Sequence, residues 1–123
     1  MSLVLVVEDE PDIGDVFAEI VRLEGHEPIL APNGEIACKL ARSARPALIF
    51  MDLVMPVMSG TQAMCLIRAD PITRQIPIIA TSVARPDLDT IGLLADDFLP
   101  KPFNVSDVES LIKRYLVERQ PAL

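Results

Sequence analysis

The chain has little of what several function classes need. It carries 11 Lys and Arg against 18 Asp and Glu, a net charge of −7, and its pI is near 4.5. That balance argues against a nucleic-acid-binding surface, which needs clustered cations to replace counterions. There are two cysteines, Cys38 and Cys65, and one histidine, His26. Two thiols and one imidazole do not make a zinc site. Both cysteines fall in helix-like apolar patterns, which predicts two buried, reduced thiols in a cytosolic protein. The longest apolar runs, such as Leu3–Val7 and Ala47–Met51, are far too short to cross a bilayer. The N-terminus has no basic segment leading into a long apolar core, so no secretory signal is expected. Internal repeats and low-complexity tracts are also lacking. The 123 residues predict one domain over 1–123, with no output domain. Half the residues are apolar, enough for one core and too many for a disordered chain.

Proline is the residue in excess, 11 of 123 against an average of about 5%. The prolines divide the chain into short apolar runs and longer periodic ones. Leu3–Val7 and Ala47–Met51 are apolar on both faces, as central parallel strands covered by helices must be. Ile76–Thr81 and Asp97–Leu99 read as further strands, and Pro28–Ala31 as a weak edge strand that tolerates its proline. The longer runs have helical spacing. Their apolar faces are Ile13, Val16, Phe17, Ile20 and Val21; Ile36, Ala37, Leu40 and Ala41; Ala63, Met64, Leu66 and Ile67; and Val105, Val108, Leu111, Ile112 and Tyr115. Pro11-Asp12, Asn33-Gly34 and Asn104 suit helix starts. Pro86–Ala95 reads as a short helix. Strand then helix, five times over, implies right-handed crossovers and a doubly wound parallel α/β sheet. Ligands of such sheets bind beyond the carboxyl ends of the strands.

The residues there are Glu8-Asp9-Glu10 after the first strand, Asp52 after the third, Ser82 (with Thr81) after the fourth and Lys101-Pro102 after the fifth. Each alone has an ordinary explanation: a helix-dipole partner, a turn residue, a cap, a surface lysine. Together they make a site. Two carboxylates 4 Å apart repel by about 4 kcal/mol at an effective dielectric near 20. Such a cluster must raise a pKa or bind a cation. A hard divalent ion such as Mg²⁺ matches one or two direct carboxylates and keeps its remaining waters. Lys101 completes the charge balance. Acids, a hydroxyl and a lysine outline a phosphoryl-handling site, with Asp52 as a nucleophile that forms an acyl phosphate.

With these motifs in view, the sequence resembles a receiver domain of the bacterial two-component response regulators. The resemblance runs from VLVVEDEPDI to FLPKPF and rests on VVEDE, MDLVMPVMSG, IPIIATS and the KPF of 101–103, in order, each after a predicted strand. It implies a flavodoxin-like (β/α)5 fold with strand order 2-1-3-4-5. It implies that Asp52 is the phosphoacceptor, that Asp9 and Asp52 hold Mg²⁺ (or Mn²⁺) directly with Glu8 acting through water, and that the Val54 carbonyl is a further ligand. Ser82, thirty residues past Asp52, then corresponds to the switch hydroxyl, with Thr81 in a more inward position. Lys101 corresponds to the phosphate-pairing lysine, often joined to the following proline by a cis peptide. Phe98 corresponds to the switch aromatic; by pattern alone it reads equally as core. The implied partners are a sensor histidine kinase or histidine phosphotransfer protein as donor, and a downstream protein or fused output domain. A phosphorylation-dependent homodimer is among the implied assemblies; direct nucleic-acid or membrane contact is not. The implied location is cytoplasmic. No enzyme activity is expected beyond self-phosphorylation and autodephosphorylation.

The sequence also departs from the family. Val54 and Ala84 flank the expected phosphoryl position with apolar side chains that cannot orient a water, which predicts slow to moderate autodephosphorylation. Ser82 to Lys101 spans 19 residues, shorter than usual by about one helical turn. Leu93-Leu94-Ala95 replaces the usual small-residue turn before the last strand. A short or irregular fourth helix is therefore expected. Rival readings fare worse. A haloacid-dehalogenase-like phosphatase wants a second Asp where Val54 stands. A flavodoxin-like cofactor binder wants a phosphate loop where Glu8-Asp9-Glu10 stands. A degenerate receiver, serving as a non-phosphorylated protein-binding module, is the remaining alternative.

Overall fold

Strands form where apolar runs are buried on both sides. In the computed structural model, which describes residues 1–83 and 88–116, Leu3–Val7 is β1, followed by α1 (Pro11–Leu23), β2 (Glu27–Ala31), α2 (Gly34–Ala44) and β3 (Leu48–Asp52). Then come α3 (Gly60–Ala69), β4 (Ile78–Ser82), α4 (Leu88–Leu94), β5 (Asp97–Pro100) and α5 (Val105–Tyr115). All neighbouring strands are parallel, in the order β2-β1-β3-β4-β5. This is the expected doubly wound sheet, with β2 at one edge. Every residue of β3 and β4 is buried.

Strand alternation sorts the core into two layers. Leu5, Val7, Ile49, Met51, Ile78 and Ala80 meet α2, α3 and α4 through Ala37, Ala41, Ala63, Met64, Ile67 and Ile91. Val4, Val6, Leu48, Phe50, Ile79 and Leu99 meet α1 and α5 through Phe17, Ile20, Val21, Val108, Leu111 and Ile112. Helix starts follow the sequence signals. Pro11 is in the first turn of α1. Asn33 Oδ1 accepts the Ile36 N–H at 2.9 Å. The Asn104 N–H donates to Asp107 at 3.1 Å.

Several expectations are corrected. Val16, Ile36, Leu66 and Val105 are 48, 37, 51 and 49% exposed, not core. Val16, Ile36 and Leu66 each adjoin a buried residue in sequence, and one residue is about 100° of helix rotation; Val105 is the first residue of α5. For the same reason Cys65, beside Met64, is exposed, and Cys38 is half-buried; both are free thiols. β3 and β4 each end one residue later than expected, so Asp52 and Ser82 close their strands, and Asp52 pairs with Thr81. Ile76 is not in β4, because its N–H turns back to Thr73 O at 3.1 Å. The fourth helix is short, seven residues, and contains Gly92, which costs about 1 kcal/mol in a helix interior. Ala84, Pro86 and the end of the chain at 120–123 lie outside the described residues.

Candidate phosphoryl site

Parallel strands deliver Glu8 and Asp9, Asp52, Ser82 and Lys101 to one edge of the sheet. Carboxylate oxygens of Glu8, Asp9 and Asp52 lie within 4.8 Å of one another. Glu8 and Asp52 are 7 and 5% exposed, whereas Asp9 faces solvent. The Lys101 ammonium bridges the buried pair, at 2.8 Å from Glu8 Oε2 and 3.3 Å from Asp52 Oδ2. Its backbone N–H donates to Ser82 O at 2.9 Å, so the end of β5 is tied to the end of β4. The Lys101–Pro102 peptide is cis, as the resemblance implied.

Burial pushes the Glu8 carboxyl above its usual 4.5, against the hydrogen bond from Lys101, and the Asp52 charge pushes it further up. For Lys101 burial acts downwards, but the Glu8 hydrogen bond and the charges of Asp52 and Glu8 outweigh it and raise its pKa. Two buried carboxylates therefore share one ammonium, with the exposed Asp9 carboxylate beside them. Glu8 Oε1 is buried with no hydrogen-bond partner among the described residues, and an orphaned buried carboxylate oxygen is costly. Asp52 Oδ1 accepts the Val54 N–H at 3.2 Å, which fixes the carboxylate above the β3–α3 loop. A hard, oxygen-seeking cation fits this donor set.

The site opens into a cleft of about 710 Å³. Asp9, Asp52, Ser82 and Lys101 line it together with Val54, which is 67% exposed. Ser82 is buried at the cleft; Thr81, equally buried, is not among its lining residues. That agrees with the more inward position expected for Thr81. Glu10 sits at the start of α1 and makes no capping bond through its side chain. Phe98 does not line the cleft; it is half-buried against the core on the α2–α4 side.

Sequence reasoning missed two features here. Val16, Val83 and Phe103 form apolar cleft walls; for Val16 the signal was its offset from the Phe17 face. Gly60 packs so closely on β3 that an added Cβ would overlap the Asp52 carbonyl. Its signal was a glycine immediately after the Ser59 cap.

Comparison with known proteins agrees with this geometry. Residues 4–113 match the family described as response regulator receiver domain. The chain is 34% identical over 122 residues to histidine kinase P4 of Formosa agariphila, covering 96% of this chain and 9% of that protein. It is 31% identical over 121 residues to the transcriptional regulatory protein BaeR of Escherichia coli, covering 96% of this chain and 49% of that protein. The chain thus spans about half of BaeR and a small part of P4. Among solved structures, it is similar to the receiver domain of a signal transduction histidine kinase from Syntrophus aciditrophicus (30% identity, TM-score 0.85, 100 and 97% of the two chains). It is also similar to the receiver domain of sensor histidine kinase PA1611 from Pseudomonas aeruginosa (29% identity, TM-score 0.86, 95 and 98% of the two chains), which has a magnesium ion coordinated in its active site cleft.

Proposed function

The chain belongs to the response regulator receiver family, and on that premise we propose that it accepts a phosphoryl group onto Asp52 and uses the modified site to switch protein contacts. The observation that carries this reading is the bridge from Lys101 to both Glu8 and Asp52 at the floor of the cleft. The lysine stands beside the carboxylate where negative charge would develop, already ordered.

The donor class is a phosphohistidine, carried by a sensor histidine kinase or a phosphotransfer protein. An Asp52 carboxylate oxygen forms a bond to phosphorus as the P–N bond breaks, and the electron pair leaves with the imidazole nitrogen. The main task of the protein is alignment and charge neutralisation. Val54 N–H on Oδ1 and Lys101 on Oδ2 orient the nucleophile. Lys101 then pairs with a phosphoryl oxygen, and Ser82 donates a hydrogen bond to another. Phe98, in β5 beside the β4 strand that ends at Ser82, is assigned as the aromatic that turns inward when the Ser82 hydroxyl moves towards the phosphoryl group. Asp9 and Asp52 would hold Mg²⁺ or Mn²⁺ directly, with the Val54 carbonyl and, through water, Glu8. The bound cation supplies neutralisation of the charge on the transferring oxygens. The PA1611 domain and the orphaned Glu8 oxygen both support this assignment. The downstream element is a protein or an output domain, as the name of the BaeR relative suggests, and the cytoplasm is the fitting compartment.

Intact mass after incubation with Mg²⁺ and acetyl phosphate tests this reading. One phosphoryl adduct is expected, absent with EDTA and absent from Asp52→Asn. A folded, Mg²⁺-loaded protein that takes no adduct, from acetyl phosphate or from a phosphohistidine donor, would make it a non-phosphorylated binding module instead.

A further inference from the structure

The short α4 lacks the usual means of ending a helix. The last carbonyls of a helix have no partner within it, and a glycine in the left-handed conformation commonly closes them. Here α4 runs into Leu93-Leu94-Ala95 with no glycine after its end. Seven residues are too few for a helix to stand alone in water. Leu93 is 83% exposed, so among the described side chains the packing of α4 rests on Ile91 and Leu94.

A residue from another helix supplies the missing donor. Arg68, in the last turn of α3, donates through Nε to Leu94 O at 2.8 Å. Its Nη1 donates to Arg74 O at 2.8 Å and Ile76 O at 2.7 Å. Its Nη2 meets Asp96 Oδ2 at 2.9 Å. Asp96 Oδ2 also accepts the Ile78 N–H at 2.9 Å, and the Asp96 N–H donates to Ile78 O at 2.8 Å. The loop that carries Arg74 and Ile76 is itself braced, because buried Thr73 donates to Ile67 O at 2.8 Å. The guanidinium fork thus ties the end of α4, the α3–β4 loop and the entry to β5 into one unit. Its fixed donor geometry is something a lysine cannot reproduce, and its charge suits a helix C-terminus.

We propose that Arg68 is the positioning residue of α4: it caps the C-terminal end of the helix from outside and holds it as a fixed pivot. Phosphorylation at Asp52 then moves α4 chiefly at the end that follows Ser82. The capping role stands on the contacts alone. The pivot role rests on the phosphoacceptor reading, because Ser82 links the two.

Hydrogen exchange of the whole chain tests this, with wild type, Arg68→Lys and Asp96→Asn compared. Both variants keep a polar side chain in place, which guards against simple misfolding. Amides of residues 92–96 are expected to exchange at least tenfold faster in Arg68→Lys, and less strongly so in Asp96→Asn, with β1 and β3 unchanged. Acetyl phosphate adduct formation is expected at the wild-type rate, since Arg68 lies outside the cleft. With Mg²⁺ and beryllofluoride, a mimic of a carboxyl-bound phosphoryl group, wild type should change before Ile91 and stay constant over 92–96. In Arg68→Lys the change should extend through 96. Equal exchange over 92–96 in all three proteins, or uniform loosening of every element, would overturn the proposal. So would a beryllofluoride response in wild type as large after Ile91 as before it. Intact mass on the same samples separates the failures: no acetyl phosphate adduct on wild type means that the acceptor reading is wrong.

Discussion

Burial sets Glu8 against its own charge. Its pKa is raised above 4.5, so the folded state binds that proton more tightly than the unfolded chain does. A raised carboxyl contributes stability below the unfolded pKa and loses it as pH rises through the folded pKa. Ionised Glu8 therefore lowers stability at neutral pH. In Mg²⁺-free buffer Glu8→Gln is expected to melt above wild type at pH 7, with the gap closing as pH falls towards 4.5. Saturating Mg²⁺ should reverse the order, because a ligand stabilises the form that binds it. Thermal melts at several pH values check both points; a gap indifferent to pH and Mg²⁺ would contradict them. Asp9, Asp52, Ser82 and Lys101 were legible as a group because parallel strands must bring their carboxyl ends to one edge. The Glu8–Lys101 pairing was not, since its partners stand 93 residues apart and only burial decides which acid the lysine meets.

At the scale of elements, the β3–α3 loop holds a strained turn beside the acceptor. The Met58 N–H donates to Pro56 O at 2.8 Å, and Val57 between them has φ of 69°, a γ-turn of the rare positive-φ hand. A β-branched residue is poorly suited to it. The Val57 side chain is 76% exposed, so packing does little to offset the strain. Val57→Asn is expected to stabilise the protein by about 1 kcal/mol, the low end of the cost of such a conformation, as read by urea unfolding; a loss of stability would refute the strain account. Nothing in MDLVMPVMSG announced this turn, because the bend is imposed by the return of Gly60 onto Asp52. The helices and their alternation with strands were readable from apolar periodicity, whereas the strand order came from the resemblance to receiver domains. Which of two adjacent apolar residues faces inward was not, as Val16 and Leu66 show. The short α4 was readable from a residue count; its dependence on Arg68 was hidden, because the donor and the acceptor belong to different helices.

At the scale of the molecule, the 2-1-3-4-5 sheet gathers acids, hydroxyl and lysine at one edge and leaves Val54, Val83 and Val16 around them. An acyl phosphate at Asp52 would be bordered by the apolar Val54 side chain, which cannot align a hydrolytic water. Its lifetime is expected to be minutes or longer, followed by intact mass after removal of the donor, and Val54→Asn or Val54→Glu should change it severalfold. Decay within seconds would contradict this. Which residue carries the phosphoryl group decides everything else at this edge of the sheet. The most direct test traps the acyl phosphate with borohydride, which reduces the modified aspartate to homoserine, and maps the peptide by mass. Homoserine at position 52 alone is the predicted result. Homoserine at position 9, 5-hydroxynorvaline (the product from a glutamyl phosphate) at 8 or 10, or no reduced residue in a protein that carries the adduct, would contradict it.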